Sequence, residues 1–62
     1  MTEERKTEIY AALVSKAETA TASGHTYTRF KMLYVLEEMG LELNRDSVNL
    51  VEKLYADGFI NE

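Results

Sequence analysis

The single histidine, His25, stands in Ser23-Gly24-His25-Thr26-Tyr27, with the hydroxyls of Ser23 and Thr26 close to it in the chain. That is the nearest the sequence comes to a nucleophile with its base. Such a pair needs a third group to orient the base and surroundings that exclude water. A polar turn offers neither, so His25 reads as a solvated loop residue or a cap. Glu37 and Glu38 are the one adjacent pair of carboxylates in the second half of the chain. Neighbours on a helix point to different sides, so these two cannot face each other as an acid and a base. One glycine in Ser-Gly-His is too few for a loop that cradles phosphate. The absence of cysteine removes disulfides and thiolate zinc sites, and a lone histidine cannot build a metal cluster. The sequence therefore predicts no enzyme, no metal, no cofactor and no small-molecule substrate, since 62 residues leave little room for a dry pocket.

What would position any functional residue is a set of three helices. Proline is absent, and the three glycines fall at 24, 40 and 58, each after a stretch with helical apolar spacing. A glycine just past such a stretch is the usual helix stop. The first helix starts after Thr2, an N-cap followed by Glu3 and Glu4, whose charges suit the positive helix start. Ile9, Leu13, Ala17 and Ala20 form its stripe, with Tyr10 and Val14 beside it, and the threonine-rich text from Glu18 to Ser23 favours early fraying. Thr26 or Thr28 caps the second helix. Met32, Val35, Leu36 and Met39 make its seam, and Phe30, Leu33 and Tyr34 widen it. A helix this apolar asks for cover on more than one side, which predicts that it lies at the centre.

Leu41-Glu42-Leu43 connects to the third helix, capped by Asn44 or Asp46, where Val48, Val51, Leu54 and Tyr55 share a face. Phe59-Ile60 folds back after Gly58 as an apolar clasp. A second arrangement pairs Leu41–Leu43 with Phe59–Ile60 as two very short strands, a weak structure in isolation. The prediction is an all-α fold: one compact three-helix domain over residues 1–62, with a helix–turn–helix-like arrangement of helices 2 and 3. A chain this short buries only about 60% of its unfolded surface, so self-association is one of its remaining routes to stability. No apolar run approaches the roughly 18 residues of a membrane span, and the polar start Met1-Thr2-Glu3-Glu4-Arg5-Lys6 is not that of a signal or transit peptide. The expected location is the cytoplasm.

Two resemblances follow from particular residues. Leu36-Glu37-Glu38-Met39-Gly40-Leu41, then Asn44-Arg45-Asp46-Ser47-Val48-Asn49-Leu50-Val51, then Leu54-Tyr55-Ala56-Asp57-Gly58-Phe59-Ile60 resemble a helix–turn–helix of the winged-helix kind, without a wing hairpin after Ile60. That resemblance implies a recognition helix whose Asn44, Arg45, Ser47 and Asn49 face the major groove. A shorter stretch, Leu43-Asn44-Arg45-Asp46 with Val48, Leu50, Val51 and Glu52, is similar to the Sda family of helical-hairpin inhibitors of a sporulation histidine kinase. It implies action by docking on a larger protein.

Charge weighs between the two. Residues 1–31 carry five basic and four acidic side chains, a net of +1; residues 32–62 carry two basic and seven acidic, a net of −5. Non-specific DNA affinity comes from neutralising phosphates with Lys and Arg, so the half that would read DNA repels it. Arg29 and Lys31, beside Tyr27 and Phe30, form the one basic-aromatic cluster in the sequence and the remaining candidate for nucleic-acid contact. Tyrosine is favoured at protein interfaces, which makes Tyr10, Tyr27, Phe30 and Tyr34 the candidate protein-contact residues. The leading expectation is a small regulatory protein–protein interaction module of bacterial or phage type, binding another protein or forming a homodimer. The alternative is a compact helix–turn–helix transcriptional regulator.

Overall fold

The computed structural model describes residues 1–62 and contains three helices: α1 (Glu3–Ala22), α2 (Arg29–Glu38) and α3 (Arg45–Ala56). Each begins on a side-chain cap. The hydroxyl of Thr2 accepts from the amide of Arg5, that of Thr28 from Lys31, and the side-chain oxygen of Asn44 from Ser47. Thr28 and Asn44, not Thr26 and Asp46, are thus the caps of the second and third helices. The threonines near the end of α1 do not end it early. Thr19 and Thr21 turn their hydroxyls back onto the carbonyls of Ser15 and Ala17, which satisfies them within the helix.

All three helices stop in the same way. At the end of α2, the amide of Leu41 reaches back to Leu36 and that of Gly40 to Glu37, both at 3.0 Å. This double closure requires a left-handed residue, and Gly40 sits at φ +78°. Gly24 and Gly58 close α1 and α3 with the same pair of bonds. The residue that follows differs. Leu41 and Phe59 pack against the core, whereas His25 after α1 is exposed.

The core is a single cluster: Ile9, Leu13 and Ala17 from α1, Met32, Val35 and Leu36 from α2, Leu50, Val51 and Leu54 from α3, and Ile60 beyond it. The helix at the centre is α3, which packs against both α1 and α2, and not α2 as its apolar content suggests. The reason lies in how the apolar residues are distributed. On α3 they keep to one side, and the buried set is Ser47, Leu50, Val51 and Leu54; Val48 and Tyr55 lie outside it and are exposed. On α2 they surround the helix, so Phe30, Tyr34 and the capping Met39 are left at the surface while Leu33 is half-buried.

There are no strands. The return of the chain after α3 is made by Phe59–Asn61, where Ile60 enters the core and Asn61 bridges to Thr28. The amide of Arg29 donates to the Asn61 carbonyl at 2.9 Å, and the amide of Asn61 to the Tyr27 carbonyl at 2.8 Å. The clasp of Phe59 and Ile60 is therefore real, but its backbone partner is the start of α2 and not Leu41–Leu43. No helix is long and apolar enough to cross a membrane.

Candidate docking surface

The outer face of α2 follows from its register. With about 100° between successive residues, a helix that turns Met32, Val35 and Leu36 inward must turn Phe30 and Tyr34 outward, one above the other. Phe30 is 68% exposed and Tyr34 52%. Their rings meet edge to face, 5.3 Å between centres and 65° between planes. A contact of this kind between residues four apart stabilises a helix by only about 0.2–0.5 kcal/mol. It fixes the geometry of the two rings without hiding them. Lys31, Glu37 and Glu38 surround the pair, all exposed and none engaged in an ion pair.

The four candidate contact residues do not form one patch. Phe30 and Tyr34 share the outer face of α2. Tyr27 is half-buried against the core just before that helix. Tyr10 is half-buried on α1 and belongs to a separate polar cluster with α3, in which its hydroxyl donates to Asp57 and the ammonium of Lys53 lies 4.5 Å from its ring centre.

The residues suggested for DNA contact separate further. Ser47 is 1% exposed, and its hydroxyl donates toward the carbonyls of Glu42 and Asn44 and accepts from the Asn44 amide. It cannot face a groove, because it is the inner half of the capping box that starts α3. The Asn44 side chain is the other half, while Arg45 and Asn49 are exposed. Arg29 is committed elsewhere. Its guanidinium bonds Glu52 at 2.7 Å and Glu62 at 3.4 Å, and lies 4.6 Å from the ring centre of Tyr55. The hydrogen bond to Glu52 raises its already high pKa. Lys31 alone of the basic-aromatic cluster is free. That cluster also has counterparts that the sequence did not suggest, at Arg29 on Tyr55 and Lys53 on Tyr10. Their partners are too far apart in the chain to form a pattern.

Tyr10, Lys53 and Asp57 form one compact group of titratable side chains. Partial burial, followed by the hydrogen bond into Asp57 and its charge, pushes the Tyr10 phenol up to about 12. The Asp57 carboxylate, accepting from Tyr10 and then Lys53, is held below its ordinary range. Both shifts move these groups away from neutrality, whereas a working acid or base needs a pKa near the ambient pH. The arrangement suits a clamp between α1 and α3. No three of the histidine, aspartate and glutamate side chains converge as metal ligands. Comparison of the chain with protein-family models, with curated proteins and with solved structures gives no match.

Proposed function

We propose that this domain is a small cytoplasmic regulatory module that acts by docking on protein, and that it performs no reaction of its own. One observation carries the proposal: two adjacent aromatic rings stand exposed on the face of α2 opposite the core. Isolated exposed apolar residues are ordinary on small proteins. Phe30 and Tyr34 are instead neighbours in contact, on a rigid helix, with charged residues at their rim. Aromatic residues set in a polar rim are the usual anchors of protein interfaces.

The second reading takes α2 and α3 as a helix–turn–helix that binds DNA. Against its use on DNA stand the burial of Ser47, the capping role of Asn44, the engagement of Arg29 by two glutamates and the net −5 of residues 32–62. Titration of random duplex DNA, followed by fluorescence anisotropy across a range of salt, tests the choice. Little affinity at moderate salt is expected. Tight binding that weakens steeply as salt rises would reverse the ranking and make the domain a DNA-binding regulator.

A further inference from the structure

We infer that the occupant of the aromatic face is a second copy of this chain, with the two α2 helices packed antiparallel about a two-fold axis close to Tyr34. This rests on the docking proposal above and names its partner.

Charge placement carries the inference. Lys31 and Glu38 are seven residues apart, two helical turns, and so stand on the same flank of the Phe30–Tyr34 stripe. Both are exposed and neither has an ion-pair partner within the chain. In an antiparallel two-fold pair, equal flanks meet and the order of residues is reversed. An axis passing between positions 34 and 35 sets position 31 of one copy level with position 38 of the other. Each unpaired lysine then meets an unpaired glutamate, twice, along one flank of the paired aromatic stripes, while Glu37, seven residues from Phe30 and so in line with it, stands toward the other flank. The contact is isologous, the commonest form of self-association.

The area sets the strength. An aromatic side chain buries about 150–250 Å² when fully covered, so the exposed parts of Phe30 and Tyr34 offer roughly 200–250 Å² per copy. A standard interface takes about 800 Å² from each partner. The pair is accordingly weak, and it forms and separates with concentration.

Sedimentation equilibrium across micromolar to millimolar concentration tests this on four samples: wild type, Lys31→Glu, Glu38→Lys, and an equimolar mixture of the two variants. Wild type is expected to associate reversibly. Each variant alone sets like charges opposite each other twice and should associate about tenfold more weakly. The mixture restores both pairs in a heterodimer and should recover the wild-type association. Folding is not at risk. Glutamate in the first turn of α2 and lysine in the last both suit the helix dipole, and circular dichroism checks it. A wild type that stays monomeric throughout, variants that associate as strongly as wild type, or a mixture no stronger than its components each overturns the two-fold pair. None of these touches the docking proposal, which fails separately if the domain grips duplex DNA.

Discussion

The two flanks of α3 are clamped by clusters with the same three parts, an aromatic ring, a cation and an acid, yet the ring does different work in each. Toward α1, Tyr10 offers both its face, to Lys53, and its hydroxyl, to Asp57. Toward α2, Tyr55 offers its face to Arg29, and the acids Glu52 and Glu62 bind the guanidinium directly. The first clamp couples the protonation of an acid to that of a phenol. The second has no such coupling and is held together by the fork of one arginine. Similar composition therefore predicts different sensitivities, to pH on the α1 side and to salt on the α2 side.

The largest effect should come from beneath both clamps. Leu54 is fully buried in the cluster that α1, α2 and α3 share. Leu54→Ala should cost about 2–5 kcal/mol in urea unfolding, several times the cost of removing either clamp. If a clamp variant destabilises as much, polar contacts and not the apolar core hold α3 in place.

Tyr10→Phe comes next and separates the flanks by pH. Asp57 has a lowered folded pKa, so its contribution is present above the ordinary carboxylate range and lost as pH falls through the lowered value. Tyr10 has a raised one, so its contribution is present below pH 10.0 and lost as pH rises from there to about 12. Without the hydroxyl, thermal unfolding should show a smaller loss of stability at both ends. The phenolate titration near pH 12 should disappear from the ultraviolet spectrum. A variant with the same pH profile as wild type would mean that the two clamps are alike after all.

Arg29→Ala should have the smallest effect, and it should shrink with salt. Its partners are exposed enough for mobile ions to screen them. Melting temperatures of wild type and variant are expected to converge between low and high sodium chloride. A difference that persists in high salt would show that the packing of the guanidinium on Tyr55 matters more than its charge.

The parts of this molecule that are legible in its sequence are those decided locally. Gly24, Gly40 and Gly58 mark helix ends because the closing bonds need a conformation that other residues resist, and Thr2 marks the start of α1 because a threonine followed by acids fits the orphan amides there. Which helix lies at the centre is not decided locally. Periodicity shows that α2 is rich in apolar residues, but not that Phe30 and Tyr34 lack a neighbour within the fold. For the same reason Val48 and Tyr55 read as part of the inner face of α3, while Leu50 and Ser47 occupy it. A hydroxyl at the third helical position can serve a cap or a ligand, and only the fold shows that Ser47 serves the cap. Tyr10 and Asp57 stand 47 residues apart, and the bridge from Thr28 to Asn61 rests on backbone atoms, which leave no trace in the order of side chains.

That bridge changes what kind of unit α2 is. Ten residues are too few for a helix to persist alone in water, and a short helix normally frays from its first turn. Here the Arg29 amide, one of those a helix start leaves without an internal partner, is held by the Asn61 carbonyl from beyond α3. The first turn of α2 and the residues after α3 must then open together, as one cooperative segment of 27–29 and 59–61. Phe30 follows directly on the Arg29 amide, so the turn that carries its ring is tied to chain more than thirty residues away.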